Sequence, residues 1–288
     1  MRILVLGASG MLGSEAIRVL SSDYEVWGAC RNAQALPFMG VPNECVLSGL
    51  DAMNPDSVDA ILDKVRPDIV INAVGIVKQR DDAKAAIPSI AVNSLWPHVL
   101  AEKCEQHSAR LIHVSTDCVF SGHSTPSGGY RETDFADAYD LYGRSKLLGE
   151  VTDRANAITL RTSIIGWQYG PQTSLIGWFA AHRHEHLKGF TQAIFSGLTT
   201  TALTETMRDI VFNRADLSGL YHVSVAPIDK YTLLTQLAEA CDWHIDIEPS
   251  DELVVDKTLN SERFQRATGW VPPTWQGMLA DVATRKPE

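Results

Sequence analysis

The sequence predicts an α/β fold: a doubly wound parallel sheet with a smaller C-terminal α/β lobe. Three observations carry this expectation. Short apolar runs alternate with helix-period segments over residues 1–165. Those runs are nearly continuous rather than alternating, as strands covered on both faces must be. The first run leads straight into a glycine-rich turn and then a helix. Strand–helix–strand units of this kind connect right-handedly, so the sheet is wound on both sides.

The elements follow in order. RILVL (2–6), YEVWGAC (24–30), ECVL (44–47), DIVINAV (68–74), RLIHVS (110–115) and AITLR (157–161) read as strands. Helices are expected at 11–21, just after the glycine cluster, and at 55–65, where Asn54 offers a cap and Pro55 suits the first helical position. Two more are expected at 88–107 and 141–153. Beyond about residue 165 the alternation weakens. Asp229 precedes a helix over 229–241, and Pro272-Pro273 breaks the segment 261–283. No Pro- or Gly/Ser-rich linker divides the halves. The expected division is therefore a nucleotide-binding unit over 1–165, rejoined by a strand near 219–224, and a lobe over 166–288 packed against it.

Composition narrows the classes. Hydrophobic residues make up 45% and charged residues 21% of 288, as in globular proteins. The net charge of −10 opposes non-specific binding to nucleic acid or to an anionic membrane. Any phosphate-bearing ligand must then be held by backbone amides or a few placed cations. The most apolar stretch, 68–77, is interrupted by Asn72 and is far shorter than a membrane span. The five scattered cysteines lack a C-x-x-C pair and suggest reduced thiols in the cytoplasm.

The turn Gly7-Ala8-Ser9-Gly10-Met11-Leu12-Gly13 has G-x-x-G-x-x-G spacing between a strand and a helix. The first glycine allows the tight turn, the second lets a pyrophosphate reach the backbone, and the third lets the helix pack closely. The phosphates would sit on the free amides at the positive end of the helix dipole. The second strand then ends Ala29-Cys30-Arg31-Asn32, without the acid that receives a ribose 2′-hydroxyl in NAD sites. Arg31 could pair with a 2′-phosphate through its planar fork, which favours NADPH with NADH as the alternative; a solvated loop arginine is the simpler role. Asp51 could accept from an adenine amino group or cap a turn.

Tyr142-Gly143-Arg144-Ser145-Lys146 puts a phenol and an ammonium one helical turn apart, on one face. A nearby ammonium is expected to lower the phenol pKa, so that it can exchange a proton with an alkoxide as hydride reaches a carbonyl carbon. The fifth strand ends at Ser115-Thr116-Asp117, where parallel strands line a ligand crevice. A hydroxyl from Thr116 or Ser115 could support the carbonyl oxygen, although all three residues also suit a turn.

Together these residues resemble the extended short-chain dehydrogenase/reductase superfamily, a Rossmann-fold group, and within it the dTDP-4-dehydrorhamnose reductase family. The resemblance rests on Ser115-Thr116-Asp117-Cys118-Val119-Phe120-Ser121-Gly122, Tyr142 to Lys146 with Gly149-Glu150, and Leu160-Arg161-Thr162-Ser163. It continues through Gly219 to Ser224 and from Leu259-Asn260-Ser261 to Pro273-Thr274-Trp275, nearly the whole chain. It implies Tyr142 as acid, Lys146 as its tuning cation and ribose anchor, and Thr116 as donor to the carbonyl oxygen. It further implies Gly7, Ser9, Gly10, Met11, Leu12, Gly13, Arg31, Asp51, Ala73, Val74, Gly75, Asn93, Tyr142, Lys146 and Ser163 around an NADP cofactor. Thr116, Asp117 and Trp167 would face the sugar, with Trp167 either stacking on the ligand or packing in the core.

The implied activity is reduction of the C4 carbonyl of a nucleotide-diphospho-4-keto-6-deoxyhexose. A related nucleotide-sugar reductase or epimerase, and a non-catalytic cofactor-binding regulatory subunit, are the alternatives. The expected partner is a nucleotide sugar, with no nucleic acid, membrane or metal, and a homodimer is a compatible assembly. Cys118 departs from the tyrosine usual at that place, and 166–200 matches only loosely. His182 to His186 reads as a solvated helix rather than a zinc site. Arg208 and Lys78-Gln79-Arg80 are candidate diphosphate clamps or plain surface cations. No G-x-S-x-G elbow supports a hydrolase.

Overall fold

The computed structural model describes residues 1–32, 41–77, 85–168 and 174–285. Its frame is a seven-stranded sheet built from β1 (Arg2–Leu6), β2 (Glu25–Ala29), β3 (Val46–Leu47), β4 (Ile69–Asn72), β5 (Arg110–Thr116), β6 (Ala157–Thr162) and β11 (Gly219–His222). The order is β3-β2-β1-β4-β5-β6-β11, and every pairing is parallel. The expected doubly wound sheet is therefore present. Its interior strands are buried on both faces, which explains their continuous apolar runs: all six residues of β6 are buried.

The chain builds β1, β2 and β3 toward one edge, then returns beside β1 with β4 and builds toward the other. This reversal opens a crevice at the carboxyl ends of β1 and β4, the usual ligand position in such sheets. α1 (Met11–Leu20) turns Ala16, Ile17 and Leu20 onto the sheet. α2 (Asp59–Val65) is preceded by a tight turn over Pro55–Val58, where Pro55 takes the first position but Asn54 makes no side-chain cap.

The helix expected at 88–107 is composite. α3 (Ala86–Ser89) leads into a wide π-helical stretch, Ile90–Leu95, and then α4 (Trp96–Gln106). α5 (Leu141–Leu148) stops earlier than its apolar pattern suggested. Glu150 is instead drawn into a buried pair with Arg161.

Beyond β6 lie β7 (Ile164–Ile165), α6 (Leu175–Ala181), β8 (His186–Phe190), β9 (Ala193–Phe195), β10 (Leu198–Thr199) and α7 (Thr200–Thr206). After β11 come β12 (Ile228–Asp229), α8 (Lys230–Ala240), β13 (Asp246–Ser250), β14 (Val255–Asp256), α9 (Glu262–Thr268) and α10 (Trp275–Thr284). These short strands form small ladders, β10-β7, β12-β9-β14 and β13-β8. Asp229 caps α8 as expected, its Oδ1 accepting from the Thr232 amide at 2.8 Å. One apolar core runs from Ile3, Val5 and Ile17 under the sheet to Phe264, Trp275 and Leu279, so the lobe packs directly on the sheet. Among the described residues no helix is long and apolar enough to cross a membrane.

Candidate active site

The site begins where β1 meets α1. Gly7 has φ +83°, a left-handed conformation that glycine adopts without strain. A Cβ there would lie 2.9 Å from the Ala73 carbonyl, and one on Gly13 would lie 2.1 Å from the Gly7 carbonyl. Both contacts explain why these positions lack side chains. α1 has no side-chain N-cap bond, and its first intrahelical amide bond runs from Ser14 to the Gly10 carbonyl. The amides of Met11, Leu12 and Gly13 are thus directed out of the helix end, as an anion cradle requires.

Beside this cradle, Ala73 and Val74 are half-buried and Gly75 is exposed, forming a shelf after β4. Arg31 is exposed at the end of β2, and its carbonyl accepts from the Gly49 amide. Asp51 uses one carboxylate oxygen to cap its own turn, accepting from the Met53 amide at 2.9 Å. Ser9 is exposed and Gly10 half-buried, with the Gly10 amide bonded back to the Gly7 carbonyl.

Helix α5 is fixed at its start by Asp140, whose Oδ1 accepts from the Gly143 amide at 2.7 Å. It is fixed laterally through Ser145. Asn93 Nδ2 donates to Ser145 Oγ at 3.2 Å, and Ser94 Oγ donates to the Ser145 carbonyl at 2.8 Å. The same Asn93 amide brackets Ile76, receiving its N–H at 2.9 Å and donating to its carbonyl at 3.0 Å. Asn93 is therefore a clamp between the shelf and helix α5. Its side chain is buried and its amide already engaged, so it positions the site rather than offering a free group.

Tyr142 and Lys146 share one face of α5, and Thr116 meets the phenol from the end of β5. Thr116 Oγ1 accepts from the Cys118 amide at 3.1 Å and donates to Asp117 Oδ1 at 3.3 Å. Lys146 is buried and donates to the Val114 carbonyl at 2.9 Å; burial brings its pKa down to about 8, while Glu150 acts in the opposite sense.

The expected lowering of the Tyr142 pKa is corrected. Burial raises it above the usual phenol value, and Cys118, Asp117 and Asp140 add to the rise, while Thr116 opposes it. Lys146 is not among the main influences on this phenol, because its ammonium is turned to the Val114 carbonyl. A raised pKa suits an acid: the phenol stays protonated near neutrality and can still give its proton to a much more basic alkoxide.

Ser115 is excluded as the carbonyl-oxygen donor, because its hydroxyl donates to Glu150 Oε1 at 2.7 Å. Trp167 takes the packing role. Its indole N–H donates to the Val282 carbonyl at 2.9 Å, and its ring meets Trp243 edge-on at 6.3 Å. That is the core role, one of the two expected of it, and the ring is half-buried. Ser163 follows β6, half-buried, with its carbonyl accepting from the Leu198 amide.

His182 ends α6 and His186 begins β8, so they do not share a helical face; His186 lies between Asp246 and Glu248. Arg208 pairs with Asp209 at 2.6 Å and with Asp23 at 3.7 Å. Residues 78–80 and 169–170 lie outside the described residues. An open polar depression of about 570 Å³, lined by Arg2, Asp23, Tyr24, Glu25, Arg66 and Asp68, sits at the amino ends of the strands, away from this crevice.

Sequence reasoning missed several site residues. Lys230 and Lys257 both act on Asp117 and Cys118 from the C-terminal lobe, and Lys257 hydrogen-bonds Cys118. Cys118 has its thiol pKa raised to about 11 by burial and by Asp117. Beneath the site, Arg161 bonds Glu150 through two nitrogens, at 2.8 and 2.5 Å, and donates to His222 Nε2 at 2.9 Å. His222 then carries its proton on Nδ1, facing the Tyr130 carbonyl at 3.0 Å.

The family model described as RmlD substrate binding domain matches residues 1–286. The dTDP-4-dehydrorhamnose reductase of Aggregatibacter actinomycetemcomitans is 31% identical over 306 residues, covering 98% of each chain. A probable dTDP-4,6-dihydroxy-2-methyloxan-3-one 4-ketoreductase of Streptomyces antibioticus is 34% identical over 59% of this chain and 52% of its own. Among solved structures, a dTDP-4-dehydrorhamnose reductase of Bacillus anthracis in complex with NADP superposes with TM-score 0.79 at 19% identity, covering 99% of this chain and 98% of that one. A Thermus thermophilus UDP-glucose 4-epimerase with NAD gives TM-score 0.75 at 18% identity, covering 99% and 98%. At such identities the superpositions establish the shared fold, which reducers and epimerases have in common.

Proposed function

This chain belongs to the RmlD substrate-binding-domain family, and on that premise we propose that it is an NADPH-dependent reductase of a nucleotide-diphospho-4-keto-6-deoxyhexose at C4. The observation that carries the reading is the convergence of Thr116, Tyr142 and Lys146 at the carboxyl end of β5, beside a glycine cradle with outward amides. The residues present fit the cofactor: the cradle would hold its pyrophosphate, Arg31 its 2′-phosphate, and the Ala73–Gly75 shelf its passage toward α5. When bound, NADPH supplies the hydride, two electrons and one hydrogen nucleus, to the carbonyl carbon.

The chain's own residues do the rest. Thr116 Oγ1 turns its hydrogen from the weak 3.3 Å bond to Asp117 Oδ1 onto O4 and steadies negative charge as the C4–O double bond becomes single. Tyr142 transfers its phenolic proton to that oxygen, giving the alcohol, and is reprotonated from solvent afterwards. Its raised pKa keeps the proton available throughout the neutral range. Lys146, anchored on the Val114 carbonyl, would hold a cofactor ribose through its remaining N–H donors. Asn93 and Asp140 keep the helix in register for this exchange.

We place the enzyme in the cytoplasm, acting on a small-molecule nucleotide sugar, with a homodimer as the assembly to test. The decisive experiment follows NADPH oxidation across dTDP-, UDP- and GDP-linked 4-keto-6-deoxy sugars. A reductase consumes one NADPH per sugar, whereas an epimerase consumes none. Tyr142→Phe is expected to keep cofactor affinity within about twofold and to lower kcat by roughly 10²–10⁴-fold. Normal turnover in that variant would overturn the assignment of the acid.

A further inference from the structure

Beneath the shelf, Asn72 closes β4 directly opposite His113 of β5, and both side chains are fully buried. Their hydrogen bonds have one consistent assignment. Asn72 Oδ1 accepts from the Val74 amide at 3.2 Å and from the Trp96 indole N–H at 3.3 Å. Both of those groups only donate, so the remaining Asn72 atom is its NH2. That NH2 lies 3.0 Å from His113 Nδ1, which must accept. The imidazole proton then sits on Nε2, a buried atom with no hydrogen-bond partner among the described residues. Burial, with Lys146 and His98 adding to it, holds the His113 pKa well below the usual imidazole value. The ring is therefore neutral near pH 7, and the Nδ1 lone pair stays available.

The pair stands where three parts of the cofactor site meet. Val74 belongs to the shelf. Trp96 opens α4 directly after the stretch that carries Asn93. A Cβ on Gly7 would lie 3.0 Å from the Val74 nitrogen, so the shelf has little room to shift toward the cradle. Two side-chain amides hold the shelf, Asn72 at Val74 and Asn93 at Ile76. An unpaired buried N–H such as His113 Nε2 disfavours the fold, and an apolar side chain would fill the same space without it. What the ring supplies, and an apolar side chain does not, is an acceptor for Asn72.

We infer that His113 is a positioning residue for the cofactor: its Nδ1 lone pair fixes the rotation of the Asn72 amide, which sets the height of the Ala73–Gly75 shelf against the Gly7 turn. This rests on the proposed reading, in which the dinucleotide passes along that shelf. Without the acceptor, the Asn72 NH2 is buried and unpaired. Turning the amide to relieve it takes Oδ1 away from Val74, and the shelf loses its lower support.

The test is calorimetric titration of the cofactor-free protein with NADPH and, separately, with adenosine 2′,5′-bisphosphate, the half of NADPH assigned to Arg31 and the cradle. His113→Leu removes the acceptor. His113→Gln also removes it, because its polar atoms reach the place of Nε2 rather than Nδ1, and it carries the test if the leucine variant does not fold. His113→Asn puts an oxygen in the place of Nδ1. In the leucine and glutamine variants NADPH is expected to bind roughly 5- to 30-fold more weakly, with the bisphosphate within about twofold of wild type. His113→Asn should bind both ligands within about twofold of wild type. Asparagine leaves more of the ring's volume empty than leucine does, so a merely structural histidine would make it the poorer binder. That order, equal weakening of both ligands, or wild-type NADPH affinity in the leucine and glutamine variants overturns the inference. Failure of wild type to bind NADPH overturns the proposed function as well.

Discussion

Removing Arg161 should cost far more than removing a surface cation, because it strands Glu150. The two side chains are 3% and 4% exposed. Arg161 supplies two of the three donors that Glu150 receives, Ser115 being the third, and it also satisfies His222 Nε2. Arg161→Met fills most of the volume but leaves a buried carboxylate with one hydroxyl. Breaking such a pair costs about 3–5 kcal/mol. For 288 residues, an unfolding entropy of about 2.1 cal/mol/K per residue sums to ~0.6 kcal/mol/K. The expected loss in Tm of the cofactor-free protein is therefore about 5–8 °C, read by circular dichroism at pH 7. Arg161→Met/Glu150→Met removes the stranded charge and should recover about half of that loss. A single variant that loses under about 1 kcal/mol would show that the pair is worth no more than an exposed one. A double variant no better than the single would show that the loss is one of packing, not of charge.

Stability should also depend on pH through Lys146. Its pKa, ordinarily 10.5, is about 8 in the fold, so between these values the folded state binds fewer protons than the unfolded state and stability rises with pH. Relative to Lys146→Met, wild type should gain about 2 kcal/mol between pH 7.5 and 9.5 in urea unfolding of the cofactor-free protein, and a constant difference would contradict the burial of this ammonium. Arg31→Ala should raise the NADPH KM about tenfold and leave the NADH KM within twofold, since only the first carries a 2′-phosphate. Equal effects on both cofactors would return Arg31 to the solvated loop.

The strands were legible because burial on both faces leaves a periodicity signal that short sequence windows carry. The cradle was legible for a similar reason: Gly13 lies six positions after Gly7, and the carbonyl that a Gly13 Cβ would strike is that of Gly7, within the same turn. Tyr142 and Lys146 were legible through helical spacing together with their place after the fifth strand. Trp167 was not, because whether an aromatic faces a ligand or a core depends on what arrives from elsewhere, here Val282 and Trp243. Lys230 and Lys257 left no local signal either. Their meaning comes from meeting Asp117 and Cys118, more than a hundred positions away in the chain.

The amino-acid sequence by itself determined the strands, the glycine turn and the one-turn spacing of Tyr142 and Lys146, because each is written among near neighbours in the chain, whereas the pairing of Ile3 with Ile69 is not. Tertiary structure alone decided the electrical state of the site. A phenol beside an ammonium in sequence suggests a lowered pKa, yet in the fold Lys146 turns to the Val114 carbonyl and burial raises Tyr142 instead. Desolvation and the approach of distant charges are properties of the packed chain, and no spacing rule contains them.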